Sequence, residues 1–309
     1  MAVCLVLGGA GFIGSHLVDA LLRAGHRVRV FDRPHLDRLT DASRGGAVEM
    51  FTGDFLDPHC LEPAVRGADA VFHLVSTTLP KTSNDNPMYD VETNVLGSLR
   101  LLELCRRHAV RRIVFASSGG TVYGVPRSVP VTEGDPTLPI CSYGIHKLAI
   151  EKYLHLFQAL HGLDYRVLRP PNVYGPRQRL DTAQGAVGVF LDRALRGQPI
   201  RIWGDGGVVR DYVYVEDAVQ GFVKALAFEG ETRVFNLGTG VGLSLKALVA
   251  AIERLLGRPV PVEYLPARPV DVPVNVLDAS LAGRHLDWRA TTPLEEGLRR
   301  TCEWLRGSR

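Results

Sequence analysis

The sequence predicts a doubly wound α/β fold, a parallel sheet with helices on both faces, carrying a smaller C-terminal lobe. Three observations predict it. Short apolar runs alternate with amphipathic helical stretches through the first half of the chain, the pattern of successive βαβ units. The first run leads directly into a glycine-rich turn, Gly8-Gly9-Ala10-Gly11-Phe12-Ile13-Gly14, that opens a helix. The chain has 309 residues, 46% of them hydrophobic and 22% charged, which is about twice the size of an average domain and the composition of a soluble protein with a sizeable core.

In chain order, residues 2–7 form a short apolar run ending in glycine, a buried strand. Residues 13–24 place Leu17, Leu21 and Leu22 on one helical face with Asp19 and Arg23 opposite, and Gly25 stops the helix. Further strands are expected at 27–31, 48–52, 70–74, 112–116 and 164–169, with helices at 95–108 and from 142 to about 160. After Pro170-Pro171, glycine and proline become denser and the periodicities mix. The division is therefore placed there: a nucleotide-binding Rossmann unit at 1–170 and a loop-rich substrate lobe at 171–309, closing with helices at 245–256 and 293–306. Pro293 suits a first helical position, where its missing N–H costs nothing.

The glycine turn follows a strand and precedes a helix, the context in which Gly8, Gly11 and Gly14 let the backbone approach a pyrophosphate while the helix end supplies amides and a positive dipole. Asp32 closes the second strand, 18 residues after Gly14. A carboxylate there accepts both hydroxyls of an adenosine ribose and repels a 2′-phosphate, which favours NAD; the adjacent Arg33 works the other way. Asp54, in Gly53-Asp54-Phe55, is a candidate for the adenine amino group, with a helix cap as the competing reading.

Tyr143 and Lys147 are four residues apart near the start of a helix and project from one face. An ammonium beside a phenol favours the phenolate, and the positive ring of an oxidised nicotinamide acts in the same sense. Such a tyrosine serves as a general base near neutral pH.

With these motifs in place the chain resembles the extended short-chain dehydrogenase/reductases, in their NAD-dependent nucleotide-sugar epimerase/dehydratase group, and among them enzymes like the UDP-glucose and UDP-N-acetylglucosamine 4-epimerases. The resemblance runs from residues 8–14 through Gly53-Asp54, His73-Leu74-Val75-Ser76, Asn94, 117–124, 143–147, 169–177, 204–217 and 236–240 to 268–271. It implies cofactor contacts from Phe12, Ile13, Phe55, Leu74, Ser76, Asn94 and Pro170 beside those above, with Lys147 on the cofactor ribose. It implies that Ser118, 25 residues before Tyr143, bonds the reacting sugar oxygen; counted from Val122-Tyr123-Gly124 the register slips by one, which is read as an inserted glycine and leaves Thr121 as the alternative. The dehydratases of this group carry an Asp-Glu pair just after that position. Gly119 and Gly120 stand here, so dehydration is not expected.

In the lobe, the resemblance assigns Asn172 and Arg210 to a diphosphate, and Arg268 and Asp271 to a second phosphate contact and the uridine ribose, with Pro269-Val270 in place of the usual x-Gly. A surface charge or loop cap is the competing reading of each. Asn275, four residues after Asp271, stands where some relatives carry a bulky tyrosine, and it leaves room for an N-acetyl group. Lys81, in the loop after Ser76, is a candidate for the sugar site against its reading as an exposed loop lysine. Asp217 is read as a cap of the helix that follows it.

The remaining composition narrows the classes. A net charge of +3 with scattered arginines gives no nucleic-acid arm. Cys4, Cys60, Cys105, Cys141 and Cys302 form no Cys-x-x-Cys pair, so neither a metal site nor a disulfide framework is expected. No run approaches the ~20 apolar residues of a membrane span, and no basic leader precedes the first strand. The expectation is a cytoplasmic homodimer, joined through the helices at 95–108 and 142–160. It would bind NAD and a UDP-sugar and catalyse C4 epimerisation through a 4-keto intermediate, with UDP-GlcNAc and UDP-GalNAc as the pair and a place in polysaccharide biosynthesis. The alternatives are UDP-glucose/galactose or UDP-uronate epimerisation, a nucleotide-sugar decarboxylase or reductase, and a non-catalytic dinucleotide sensor.

Overall fold

The structure, a computed structural model, describes residues 1–34, 39, 46–80, 82–180, 185–267 and 272–307. Its frame is a seven-stranded parallel sheet among the described residues. The strands are β1 (Val3–Leu7), β2 (Arg27–Asp32), β3 (Val48–Thr52), β4 (Ala70–His73), β5 (Arg112–Ala116), β6 (Asp164–Arg169) and, from much later in the chain, β10 (Val234–Asn236). Their order across the sheet is β10-β6-β5-β4-β1-β2-β3. The central strands read as nearly unbroken apolar runs because helices cover both faces, and every residue of β4 and β5 is buried. Order reverses between β1 and β4, the point at which open α/β sheets leave a crevice at their carboxyl ends.

The helices are α1 (Phe12–Arg23), α2 (Pro58–Val65), α3 (Pro87–Asp90), α4 (Gly97–Arg107), α5 (Ser142–His161), α6 (Ala186–Leu195), α7 (Val215–Ala227), α8 (Leu245–Leu256), α9 (Ser280–Leu286) and α10 (Leu294–Gly307). A π-helical turn, Val91–Leu96, joins α3 to α4. The helix expected at 95–108 therefore begins at Pro87. The π turn adds a residue to the helical register, so the 3.6-residue apolar period is lost N-terminal to Gly97. Among the described residues no helix is long and apolar enough to cross a membrane.

The small strands β7 (Asn172–Tyr174), β9 (Val209–Tyr214), β11 (Gly242–Ser244) and β13 (Val274–Asn275) make a second sheet on which β9 is central, and β8 (Ile200–Trp203) pairs with β12 (Val262–Leu265). The chain does not leave the large sheet for good at residue 170. β10 pairs in parallel with β6, Val234 opposite Val167, and α7 packs on α1 as well as on β5 and β6. The lobe expected at 171–309 thus shares two elements with the nucleotide-binding unit. Asp217 does not cap α7, which starts at Val215. Its carboxylate accepts from Thr291 Oγ1 and Thr292 N, both at 2.9 Å, and its carbonyl from Trp288 Nε1 at 2.8 Å, so it anchors the approach to α10.

The first turn is closely packed, backbone on backbone. A Cβ on Gly14 would lie 2.1 Å from the Gly8 carbonyl oxygen and 2.8 Å from Gly9 Cα. Both neighbours are backbone and cannot swing aside. Gly14→Ala is expected to destabilise by about 1–3 kcal/mol, the usual cost of overpacking, and to lower the thermal midpoint by several degrees. Gly134→Ala, whose Cβ meets nothing nearer than Thr132 Oγ1 at 3.9 Å, is the neutral control. Equal melting of the two variants contradicts the packing argument.

Candidate active site

Four loops at the carboxyl ends of β1, β4, β5 and β6 meet around the start of α5. The first is the glycine turn. Gly8 has φ +80° and donates to Phe31 O at 2.9 Å, and Gly11 donates back to Gly8 O at 3.0 Å. α1 follows with no side-chain cap and no acidic residue in its first turn, so the amides of Phe12, Ile13 and Gly14 are presented to an anion. Asp32, buried at the end of β2, has its carboxylate fixed by Ala10 N and Arg33 N, each at 2.9 Å. A dinucleotide fits this pairing of amide-rich turn and strand-end carboxylate. Leu74 and Ser76 lie half-buried on the other side of the turn, with Leu74 close enough that a Cβ on Gly8 would touch its backbone at 3.4 Å.

Other expected cofactor residues have structural duties. Asp54 Oδ1 accepts from Leu56 N at 2.9 Å, so it closes the turn before α2, whose own cap is Asp57. Phe55 is buried with its ring 5.3 Å from that of His73, which leaves only its backbone to a ligand. Asn94 is also buried. Its Oδ1 accepts from Thr77 N at 3.0 Å, and its Nδ2 donates to Thr77 Oγ1 at 2.9 Å and to the Asp90 carbonyl at 3.0 Å. Asn94 thereby pins the loop after β4. Pro170 is buried and its carbonyl receives Gly119 N at 2.9 Å.

Tyr143 and Lys147 share the first turns of α5, as their spacing requires. The helix entrance is held from outside: Ser142 N donates to Asn84 Oδ1 at 2.9 Å and Tyr143 N to Ser83 Oγ at 3.0 Å. Lys147 is buried, its Nζ donating to Ala116 O at 2.9 Å and lying 5.5 Å from the Tyr143 ring centre. Burial lowers the ammonium to about 8, against the pull of Asp90 and Glu151. The expected depression of Tyr143 by Lys147 is not what the protein alone produces. Burial pushes the phenol up, Cys141 and Asp90 add to the rise, and the Ser76 hydroxyl opposes it. One of the ammonium's three N–H donors goes to Ala116 O.

The turn after β5 faces this pair. Ser118 is half-buried, and its carbonyl takes Thr121 N at 3.2 Å and Val122 N at 3.1 Å. The Thr121 hydroxyl is buried without a partner, and the Thr121 backbone abuts Gly144, next to Tyr143. Both hydroxyls therefore stay in contention for a sugar oxygen. Gly119 has a physical reason: a Cβ there would sit 2.4 Å from Leu277 Cδ1 and 2.8 Å from Arg169 O.

The lobe brings Asn172, Arg210 and Asn275 onto one small sheet. Asn172 pairs in register with Tyr212, and Asn275 with Arg210. Asn172 Nδ2 donates to Asp211 O at 3.3 Å. Asn275 is buried; its Nδ2 donates to Gly119 O at 3.1 Å and its Oδ1 has no partner. Lys81, Arg268 and Asp271 lie outside the described residues.

Two further features were not singled out in the sequence. Tyr212 shares the face of β9 with Arg210 by strand alternation, and its buried hydroxyl has no partner. Burial pushes that phenol up to about 12, Arg210 opposing. A tyrosine two residues after a phosphate-candidate arginine in a strand was the available signal. The second feature is Asp90, fully buried and bonded to Ser142 and His146 on either side of Tyr143 in the chain; it is the last residue before the π turn, where the helical period breaks.

Comparison with known proteins agrees with this geometry. Residues 4–238 match the model of the NAD dependent epimerase/dehydratase family. A UDP-glucose 4-epimerase of Mycolicibacterium smegmatis is 38% identical over 306 residues, covering 98% of each chain. The crystal structure of the Thermotoga maritima UDP-glucose 4-epimerase with UDP-glucose superposes with a TM-score of 0.93 at 38% identity, covering 99% of each chain. A UDP-N-acetylglucosamine 4-epimerase from Methanobrevibacter ruminantium M1, in complex with UDP-N-acetylmuramic acid, does so with a TM-score of 0.93 at 30% identity, covering 100% of this chain and 99% of that one.

Burial also sets an acid limit. His16 and His146 are lowered to about 4 and His73 to about 3, burial being the largest cause in each. Each is neutral when folded and takes a proton on unfolding at any pH between that value and the ordinary 6.5. The unfolded state then binds more protons, so stability rises with pH through this window and is lost as pH falls from about 6.5 towards 4. The thermal midpoint is expected to drop between pH 7 and pH 5. A midpoint that holds steady or rises on acidification contradicts this.

Proposed function

The chain belongs to the NAD-dependent epimerase/dehydratase family, and from that premise we propose that it interconverts C4 epimers of a UDP-hexose through a transient 4-keto sugar. The observation that carries the reading is the composition of the turn opposite Tyr143. It offers hydroxyls from Ser118 and Thr121 and two glycines, but none of the carboxylates that elimination of water requires. When bound, NAD would supply the oxidising and reducing capacity at C4. The glycine turn, the α1 amides and Asp32 would hold it, with Lys147 on its ribose.

The protein's own chemistry is proton handling and orientation. Tyr143 takes the proton of the 4-hydroxyl and later returns it, and Ser118 or Thr121 bonds the same oxygen. Burial alone holds the Tyr143 proton too tightly for a base. A cationic ring bound next to the phenol would lower that affinity, and the loaded protein would then hold the better base. Arg210 and Asn172 face the diphosphate, with the Tyr212 hydroxyl as an added donor.

For the sugar itself, Asn275 supports UDP-GlcNAc and UDP-GalNAc: it is small, and its buried oxygen has no protein partner, which suits an amide N–H. A second reading, UDP-glucose and UDP-galactose, is favoured by the same residue's Nδ2, already committed to Gly119 O, and by the names of the relatives. Relative kcat/KM on UDP-GlcNAc and UDP-glucose decides between them. Glucose turnover far above that of GlcNAc removes the N-acetyl assignment.

A homodimer accounts for the exposed apolar stripe of α5, where Ile145, Leu156 and Leu160 recur at helical intervals, and for exposed Met88 and Leu96 beside it. Light scattering is expected to give twice the chain mass, and Leu156→Glu with Leu160→Glu to give monomer. A monomeric wild type contradicts the dimer. Tyr143→Phe is expected to cut kcat by about 10²–10⁴, the range for lost acid–base catalysis, while bound NAD is retained. Near-normal turnover in that variant refutes the role of Tyr143.

A further inference from the structure

Three segments converge on the buried Asp90 carboxylate. Thr78 Oγ1 donates from the loop after β4, Ser142 Oγ donates at 2.6 Å from the first residue of α5, and His146 Nδ1 lies 3.0 and 2.9 Å from its two oxygens. Asn94 Nδ2 adds a contact at 3.1 Å. Burial works against the charge, but the bonds from Ser142, Thr78 and His146 outweigh it and hold Asp90 below the usual carboxylate range. An ionised Asp90 fixes the histidine tautomer: Nδ1–H donates to the carboxylate and Nε2 carries the lone pair. That Nε2 is buried with no partner.

The His146 ring stands edge-on to the Tyr143 ring, centroids 4.9 Å apart and planes at 68°. The charged and titratable groups facing it are Asp90 across the helix interface, Lys147 and Tyr143 on its own helix, and His73 on β4. A buried carboxylate hydrogen-bonded to a neutral imidazole adds little stability over apolar residues of equal volume. Its geometry here does something an apolar pair does not, for it fixes the rotation of one ring that bears on another.

We propose that Asp90 and His146 are positioning residues: the pair holds the Tyr143 ring, and with it the hydroxyl, in line with the sugar oxygen on which Tyr143 acts. The inference rests on the epimerase reading. Neither residue touches the sugar, so both act on kcat through Tyr143 and leave substrate affinity alone.

The test uses the NAD-loaded protein with UDP-glucose and UDP-GlcNAc. His146→Leu keeps the bulk and loses the donor, whereas His146→Asn keeps a donor where Nδ1 stood. His146→Leu is expected to lose at least about tenfold in kcat with KM within about twofold and bound NAD unchanged, and His146→Asn to recover to within about threefold of wild type. Histidine side-chain ¹⁵N spectra of the wild type should show His146 as the neutral Nδ1–H tautomer, altered in Asp90→Asn. An unimpaired His146→Leu overturns the inference. So does a His146→Asn that is as slow as His146→Leu, or a loss in which kcat, KM, thermal midpoint and bound NAD decline together. A wild type that turns over neither sugar defeats the epimerase reading and this inference with it; an active wild type with an unimpaired His146→Leu defeats the inference alone.

Discussion

The site depends on one buried ion pair. Glu151, a helical turn beyond Lys147, takes Arg169 Nε at 3.0 Å and Nη2 at 2.5 Å, and the Ser117 hydroxyl at 2.5 Å. Arg169 continues through Nη1 to the Tyr123 hydroxyl at 2.8 Å, and Tyr123 donates to Asn236 Oδ1 at 2.7 Å. Both charged groups are about 5% exposed. This chain of bonds joins α5, the ends of β5 and β6, the turn bearing Ser118, and β10. Breaking a buried pair of this kind costs about 3–5 kcal/mol because it strands a charge. Together with the bonds to Asn84, Ser83 and Asp90 at the entrance of α5, it fixes Tyr143, Lys147 and Ser118 relative to one another.

The lobe is fastened to the same knot. Asn236 Nδ2 donates to Val131 O at 3.0 Å, and Asn275 reaches Gly119 O from the small sheet. The residues expected to hold the diphosphate are thus registered to the turn expected to hold the sugar oxygen through one short path. Proton affinity is divided between protein and cofactor. The protein buries Tyr143 and so holds its proton, and in the proposed mechanism the charge of a bound cofactor would release it. Chemistry confined to the loaded state suits a cofactor that stays bound through each turnover.

Much of this is legible in the sequence. The strands at 48–52, 112–116 and 164–169 and the helix at 245–256 fall where the apolar patterns placed them; the reason is plainest at 112–116, which is buried throughout between two helical layers. The Gly8 turn and the Tyr143–Lys147 pair were readable for a similar reason: their geometry is local and needs no distant partner. What escaped is non-local or breaks a period. The return of β10 to the large sheet leaves only three residues of signal. Asp90 sits where a π turn interrupts the helical repeat. Asp217 looked like a cap, and its partners, Trp288, Thr291 and Thr292, lie more than seventy residues away. Asn94 and Asp54 were read towards the cofactor, and their hydrogen bonds show loop-fixing duties that a sequence does not display.

In the proposed reaction C4 of the sugar is oxidised and reduced inside one complex, with Tyr143 moving the proton at the adjacent oxygen. The most direct measurement follows a UDP-hexose deuterated at C4, incubated with the purified protein in light water with unlabelled NAD added in excess. The account predicts that the C4 epimer forms with its deuterium retained at C4 and that the added NAD stays unlabelled. Deuterium lost to water, or recovered in the added cofactor, would contradict it.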